Sequence, residues 1–289
     1  MVCSAAGRPL EQEAVMDLPT HFNTLRLSAV DAIVCVELNR PDRANAINLP
    51  MWHEIREAFT WVDQTASVRV AVLRGAGKHF CSGIDLDMLS GISAEISDKC
   101  AGRQNEKLRR LILDLQDTLT SIEHCRKPVL AAIHGACIGG GMDLICPCDM
   151  RYCSSDANFS VKEVDLGLTA DVGTLQRLPR LIGEGMTREL AYTARNFNGS
   201  EAREMGLVNH CYTNPDRLHD EVMALARSIA TKSPLAVRGS KEMISYARDH
   251  TVADGLNYVA TWNSAMLLSA DLDESITAAR ARRAPLYRD

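Results

Sequence analysis

The sequence predicts an α/β protein with a helical C-terminal region. Short apolar runs typical of strands alternate with segments of helical periodicity up to about residue 161, and from Gly173 onward the pattern is almost entirely helical. At 289 residues the chain is long enough for one large domain or for a domain with an added segment. No internal repeat or low-complexity linker divides it.

The amino-acid composition argues against some classes of binding partner. The net charge of −5 and the pI near 5.9 provide no long-range field for nucleic acid, so we expect a small-molecule partner. No apolar stretch approaches the roughly 20 residues of a membrane helix, so we expect no membrane span. The ten cysteines lie mostly in apolar runs without a secretory signal, which predicts reduced, buried thiols.

The first elements are predicted from the spacing of apolar residues. They are a hairpin of 23–27 and 33–38 with a turn at 28–31, a helix over 51–62 and a strand over 68–73. A glycine-marked loop, 75–83, follows that strand. Ligands of open α/β sheets gather beyond the carboxyl ends of strands, so this loop and the later glycines at 139–141 could face one pocket.

The central stretch joins a buried strand to a helix through three glycines. A helix over 106–122 leads to the apolar strand 129–133, and Gly139, Gly140 and Gly141 precede a helix start at 142–146. Without Cβ atoms, a ligand can lie against the free N–H groups at the helix N-terminus, which suit an oxygen that gains negative charge. A tight turn without a ligand explains the same glycines.

The remaining elements are short strands and then helices. We predict strands over 150–153 and 158–161, an irregular loop over 164–171, and helices over 174–181, 187–193, 200–205, 218–231, 233–247 and 252–268 with a tail to 282.

Three carboxylates follow the glycines and are the candidate chemical groups. Asp143 lies one turn into the predicted helix, while Glu163 and Asp171, with Asp165 nearby, lie among apolar neighbours. Carboxyl groups held together in apolar surroundings resist ionisation and can accept and donate a proton near neutral pH. They could therefore move a proton between carbons. The alternative is that they are ordinary surface or capping acids.

Other chemistries find less support. The sequence has no Gly-x-Ser-x-Gly elbow, no His-Glu-x-x-His pair and no phosphate-binding Gly-Lys-Ser/Thr loop. His79 and His134 lie beside glycines without a partner nucleophile or ligand cluster, so we expect structural roles. The pair in Cys146-Pro147-Cys148 lacks the spacing of a metal or redox motif. We expect no metal and no cofactor.

Three motifs resemble the enoyl-CoA hydratase/isomerase (crotonase) superfamily over residues 22–285. They are Arg-Ala-Asn-Ala at 43–46, Phe-Cys-Ser-Gly-Ile-Asp-Leu at 80–86 and His-Gly-Ala-Cys-Ile-Gly-Gly-Gly-Met-Asp-Leu at 134–144. The segment 161–179 is similar to the dienoyl-CoA isomerase branch. The resemblance implies a spiral of ββα units with helices that assemble trimers or dimers of trimers. It implies an N-terminal extension over 1–20, expected to be poorly ordered, a core over 21–215 and a helical region over 216–289.

The resemblance also implies roles for particular residues. The N–H groups of Ile84 and Gly140 would hold the thioester oxygen of an acyl-CoA substrate. The implied substrate-binding residues are Arg43, Ala44, Ser82, Gly83, Ile84, Asp85, Leu86 and Gly140. Glu163 matches a catalytic glutamate of the hydratases, and Asp143 matches the second one but is a methylene shorter. Asp171 replaces a small or apolar residue of the hydratases.

The function implied is the isomerisation of 3,5-dienoyl-CoA to 2,4-dienoyl-CoA, with Glu163, Asp171 and Asp143 as the catalytic acids. Coenzyme A would enter only as part of the substrate, in unsaturated fatty-acid β-oxidation. Two alternatives stay open: a 2-enoyl-CoA hydratase that uses Glu163 and Asp143, and a catalytically silent acyl-CoA- or RNA-binding homologue. The sequence does not identify the compartment, while the resemblance implies a mitochondrion or a peroxisome-type organelle.

Overall fold

The computed structural model describes residues 16–289. The extension predicted for 1–20 therefore lies for the most part outside the described residues. The division between 215 and 216 stays a prediction; it falls at the start of a helix, Pro215–Ala230, which packs directly on the main sheet.

Nine strands form two sheets within the described residues. In chain order they are β1 (Leu25–Val30), β2 (Ile33–Leu38), β3 (Val70–Gly75), β4 (Val129–Ile133), β5 (Ala136–Ile138), β6 (Met150–Ser154), β7 (Asn158–Ser160), β8 (Phe197–Asn198) and β9 (His210–Tyr212). The larger sheet has the order β1-β2-β3-β4-β6-β9 and is parallel except for the β1-β2 hairpin. The smaller sheet has the order β5-β7-β8.

Eleven α-helices surround the sheets in the same part of the chain. They are α1 (Leu49–Gln64), α2 (Leu86–Glu95), α3 (Ala101–His124), α4 (Gly140–Ile145), α5 (Thr174–Ile182), α6 (Glu184–Thr193), α7 (Gly199–Glu204), α8 (Pro215–Ala230), α9 (Pro234–Tyr246), α10 (Val252–Met266) and α11 (Ala270–Arg280). Short 3₁₀ turns lie at Pro41–Arg43 and Glu163–Leu166. Between residues 16 and 289, none of the helices is both long and apolar enough to cross a membrane.

The inner strands β2, β3 and β4 are covered on both faces of the larger sheet, which explains why they are nearly continuous apolar runs rather than alternating ones. One face packs on the main core, which includes residues of α1 and α3. The other face packs on α8 through Leu218, Val222 and Met223. The parallel strands thus direct their carboxyl ends, and the loops that follow, toward one side of the molecule.

The smaller sheet fixes two of those loops. Isolated β-bridges pair Ile47 with Ile84 and Cys81 with Cys137, which is in β5. The loop after β3 is thereby held against the strand that leads to α4. This is the arrangement that brings the two glycine-marked stretches together, as the sequence predicts.

Several predicted boundaries were wrong. The turn predicted at 28–31 is strand up to Val30, and the chain reverses at Asp31, whose φ of 56° is a left-handed conformation that Asp tolerates. The predicted helix 252–268 with its tail is two helices, α10 and α11. Helix α2 was not predicted. None of its residues is buried, and side chains such as Leu89 and Ile92 line a cavity instead of packing in the core.

Candidate active site

Two backbone N–H groups lie side by side at the junction of the bridged loops. Asp85 N donates to the carbonyl of Ile47 (3.0 Å) and Ile47 N donates to that of Gly83 (2.8 Å), which leaves the N–H of Ile84 between them. A Cβ on Gly140 would lie 3.4 Å from Ile84 N, so glycine permits the close approach. Within residues 16–289, neither Ile84 N–H nor Gly140 N–H has a protein acceptor. They form a pair of free donors.

An outer groove of about 590 Å³ opens in front of these donors. Most residues predicted to bind substrate line it, together with Lys162 and the apolar side chains of Leu166 and Leu168; those residues are Arg43, Ser82, Gly83, Ile84, Asp85, Leu86 and Gly140. Ala44 lies outside this lining. Its carbonyl accepts a hydrogen bond from Ser82 N (3.0 Å), so it supports the loop that carries Ile84.

Both oxygens of the Asp85 carboxylate accept hydrogen bonds from neighbouring residues and hold this loop in place. One oxygen accepts a hydrogen bond from Asp87 N (3.0 Å) at the N-terminus of α2, and the other accepts from Arg40 Nη1 (2.8 Å). The same Arg40 nitrogen donates to the carbonyl of Ala46 (2.5 Å). The Arg40 guanidinium lowers the pKa of Asp85, so this carboxyl remains ionised.

An inner cavity of about 420 Å³ continues from the groove, and the two share Ile84, Gly140, Glu163 and Leu168. Its walls are mostly apolar side chains of α2 and α3, such as Ile92 and Leu111. Asp143, Glu163 and Asp171 all line it. The structure therefore brings the three predicted catalytic acids into one apolar cavity beside the two free N–H donors.

Asp143 is the most deeply buried of the three acids, with 3% of its surface exposed. Its Oδ1 accepts hydrogen bonds from Thr174 N (3.0 Å) and Thr174 Oγ1 (2.5 Å). Burial, and then the neighbouring charge of Glu163, raise the pKa of Asp143 to about 7, while the Thr174 donors act in the opposite direction. This carboxyl can therefore exchange a proton near neutral pH.

The pKa values of Glu163 and Asp171 are also raised. Burial raises the pKa of Glu163, with a further contribution from the charge of Asp171. Its Oε2 is buried and finds no hydrogen-bond partner among the described residues. Asp171 is exposed on the side of the cavity. Partial burial of its carboxyl still raises its pKa. Asp165, in contrast, is exposed and pairs with Lys162.

The histidines and cysteines have structural contacts. His134 Nε2 lies 2.9 Å from the carbonyl of Gly77, and His79 Nδ1 accepts a hydrogen bond from Ala136 N (3.1 Å). Cys146 and Cys148 are buried free thiols, and burial raises the pKa of each to about 12, which suppresses reactivity. Across residues 16–289, no group of three His, Cys, Asp or Glu side chains is arranged to hold a metal ion.

Sequence reasoning missed three residues that shape the site. Thr174 binds Asp143, Arg40 binds Asp85, and the Gln116 side chain donates to the carbonyl of Asp171 (2.6 Å). Only Thr174 carried a signal, since it was predicted as the first residue of a helix, where an N–H is free to bind an anion.

Comparison with known proteins decides the family. The enoyl-CoA hydratase/isomerase model matches residues 28–289. The chain belongs to this family. An enoyl-CoA hydratase structure from Bacillus anthracis superimposes with a TM-score of 0.83 at 31% identity, covering 92% of this chain and 99% of that one. The predicted crotonase-like fold is thereby confirmed.

Relatives within the family include both isomerases and hydratases. The chain is 50% identical to the peroxisomal Δ(3,5)-Δ(2,4)-dienoyl-CoA isomerase of Arabidopsis thaliana, over 91% of this chain and 95% of the relative. It is 47% identical to the mitochondrial enzyme of that name in Homo sapiens, over 95% and 85%. It is 34% identical to the crotonyl-CoA hydratase of Syntrophomonas wolfei, over 91% and 96%.

Proposed function

We propose that this chain isomerises 3,5-dienoyl-CoA to 2,4-dienoyl-CoA by moving a proton from C2 to C6. One observation carries the proposal: Asp143, Glu163 and Asp171 line a single apolar cavity that adjoins two free backbone donors. Six relatives named as this isomerase are 39–50% identical to the chain, whereas two relatives named as hydratases are 33–34% identical. The relatives thus support the isomerase over the hydratase.

The two free donors would stabilise the intermediate. Removing a C2 proton from the substrate gives a dienolate whose negative charge is shared between the thioester oxygen and the conjugated chain. The N–H groups of Ile84 and Gly140 would donate to that oxygen. A donor of this kind typically contributes about 3–4 kcal/mol to transition-state stabilisation. We therefore assign these two residues to the oxyanion hole.

The carboxyls would carry the proton transfers. Glu163, ionised, takes the C2 proton as general base, and Asp171, protonated, donates to C6 as general acid. After one turnover Glu163 is protonated and Asp171 is ionised, so a proton must pass back between them. Asp143 lines the same cavity and would share that proton. The reaction adds no atoms and transfers no net electrons, and we propose that it needs no cofactor besides the coenzyme A of the substrate.

The outer groove would hold the coenzyme A portion. It leads to the Ile84 and Gly140 donors from outside, and the cations Arg43 and Lys162 line it. The inner cavity beyond the donors would take the acyl chain. The relatives' names, peroxisomal in one case and mitochondrial in others, agree with the expected kind of organelle.

We further propose a homo-oligomer, a trimer or a dimer of trimers. Every residue of α10 is at least partly exposed, including Val252 and Leu256, and Leu268, just beyond this helix, is 92% exposed. Apolar side chains at this density on one helical region are typical of an interface between subunits.

The decisive test follows a 3,5-dienoyl-CoA mixed with the purified protein. We expect the near-ultraviolet absorption of the thioester-conjugated 2,4-diene to grow without added nucleotide or metal. Asp171→Asn and Glu163→Gln should each reduce turnover by about 10²- to 10⁴-fold, the usual contribution of a general acid or base. The matched control is Asp165→Asn, on the same loop but exposed, which should keep turnover within a few-fold.

Two outcomes would contradict the proposal. If the protein instead hydrates a simple 2-enoyl-CoA, and Asp171→Asn is as active as wild type, the chain is a hydratase that uses Asp143 and Glu163. If it binds acyl-CoA but converts neither substrate, it is a silent homologue.

A further inference from the structure

We infer that Thr174 is a positioning residue that directs the exchangeable proton of Asp143 to one oxygen and, through its hydroxyl hydrogen bond, favours release of that proton. The inference rests on the proposed function for the role of Asp143 in returning that proton. Thr174 itself faces Asp143 and is absent from the linings of the groove and the inner cavity.

The hydrogen bonds leave one site for the proton. Thr174 N–H can only donate, and it donates to Oδ1 of Asp143, as does the Thr174 hydroxyl. With its lone pairs engaged by two donors, Oδ1 is the poorer position for a proton. Oδ2 of Asp143 has no hydrogen-bond partner within residues 16–289. A neutral Asp143 therefore carries its proton on Oδ2, free to pass to a neighbouring group.

The fold holds Thr174 rigidly in this position. It is fully buried and is the first residue of α5, three residues after Asp171. Gly173 before it has a φ of 129°, which glycine tolerates, and a Cβ there would overlap the Arg177 side chain. Arg177 is bound in turn by Glu123 of α3 (2.7 Å). At the other end of the segment, the Gln116 side chain donates to the carbonyl of Asp171 (2.6 Å), so the chain between Asp171 and Thr174 is held at both ends.

The acids around Asp143 disfavour its ionised form, and the two Thr174 donors favour that form. The acids that face it are Glu163 and Asp171, and the nearby thiols of Cys81 and Cys146 are neutral because burial raises the pKa of each to about 12. Arg177, the cation of α5 nearest this point in the chain, is paired with Glu123. Thr174 supplies the two hydrogen bonds that stabilise ionised Asp143, and its hydroxyl balances the acids that favour the neutral form.

The experiment titrates Asp143 directly. The infrared carbonyl band of its protonated form is identified by its loss in Asp143→Asn, and its intensity is followed against pH. Thr174→Val keeps the shape of the side chain and the N–H but removes the hydroxyl. We expect the midpoint to move up by about one pH unit and turnover to fall about tenfold, as for the loss of one hydrogen bond to a charged group.

Two variants serve as controls. Thr174→Ser retains a hydroxyl and should titrate within a few tenths of a pH unit of wild type, with turnover within about twofold. Thr187→Val removes another buried threonine hydroxyl, one that bonds the carbonyl of Gly183 away from the site, and should change neither readout. If Thr174→Val does not fold, as judged by circular dichroism, Thr174→Ala replaces it.

The titration separates this inference from the proposed function. An unchanged midpoint in Thr174→Val overturns the inference, even if turnover falls, because a merely structural defect would do the same. A shifted midpoint with the matching loss of turnover, restored in Thr174→Ser, supports it. Absence of isomerase activity in the wild type would overturn the proposed function instead, while the titration would still report whether Thr174 controls the proton on Asp143.

Discussion

Asp85 and Asp143 are both nearly buried aspartates, with 9% and 3% of their surfaces exposed, yet their pKa values shift in opposite directions. Asp85 lines the outer groove and is bound by Arg40. Asp143 lines the inner cavity, where Glu163 and Asp171 add to the cost of ionisation. The pKa is low for Asp85 and about 7 for Asp143.

The difference shows that burial alone does not give a carboxyl its role. Glu123 makes the same point, since it is partly buried but lies between Arg177 and Arg248, which lower its pKa. Asp85 and Glu123, each bound by arginine, are ionised at neutral pH and hold neighbouring segments in place. The three acids of the inner cavity are not paired with arginine or lysine within residues 16–289. The pKa of each is raised, and that of Asp143 reaches about 7, so Asp143 can gain and lose a proton near neutral pH.

The largest effect on this comparison should come from Asp143→Asn, measured as stability. The folded-state pKa of Asp143 is raised above its value of 3.8 in the unfolded chain, so ionisation destabilises the fold as pH rises from about 4 to about 7. A pKa difference of one between the folded and unfolded chains corresponds to about 1.4 kcal/mol of unfolding free energy. We expect the variant to be more stable than wild type by up to about 4 kcal/mol at about pH 8, with a smaller gain at about pH 5, in urea unfolding.

The exposed control for that measurement is Asp165→Asn, which should change the free energy of unfolding by no more than about 0.5 kcal/mol at neutral pH. If the stability gain of Asp143→Asn did not grow with pH, the pKa of Asp143 would not be raised in the folded protein. The inner cavity and the outer groove would then no longer differ in the way described.

Local signals explain what the sequence could predict. The three glycines, the strand before them and the acids at 143, 163 and 171 each stand out from their immediate neighbours, so the core elements and the candidate site could be proposed. The spacing of apolar residues in α10 also predicted its helical character. Short strands such as β8, with two residues, carry too little pattern to be recognised.

The missed contacts join residues far apart in sequence. Arg40 and Asp85 are separated by 45 positions, and Thr174 and Asp143 by 31. Nothing near Asp85 in the sequence distinguishes it from Asp143, since both follow a glycine-containing loop and precede or begin a helix. Whether a carboxyl meets an arginine or a threonine is set by the packing of distant elements, which a single sequence does not display.

We expect an effect of intermediate size on stability from Arg40→Met. The change would leave the Asp85 carboxyl without an arginine partner, as the Asp143 carboxyl is. The lowered pKa of Asp85 contributes stability above its unfolded value of 3.8, and this contribution is lost as pH falls through the folded-state pKa. We expect the variant to lose about 1–2 kcal/mol of unfolding free energy near neutral pH, less than for a fully enclosed pair because the groove is open to solvent. The loss should diminish below about pH 4.

The double variant Arg40→Met with Asp85→Asn is the matched test. Removing both charges should restore part of the lost stability, because no unpaired carboxylate remains. If the double variant were less stable than Arg40→Met alone, the Asp85 carboxylate would be stabilised mainly by the N-terminus of α2 rather than by Arg40.

The smallest effect should come from Arg43→Gln at the rim of the outer groove. Arg43 is exposed, and we expect its interaction with the substrate phosphates to be screened by solvent, so KM should rise about two- to fivefold with kcat unchanged. The difference from wild type should shrink at high salt, because exposed charges are screened over about 10 Å at 0.1 M. A loss of kcat comparable to that of Glu163→Gln would place Arg43 in the proton transfer itself. The outer groove would then take part in the chemistry, and the separation between fixed charges outside and exchangeable protons inside would fail.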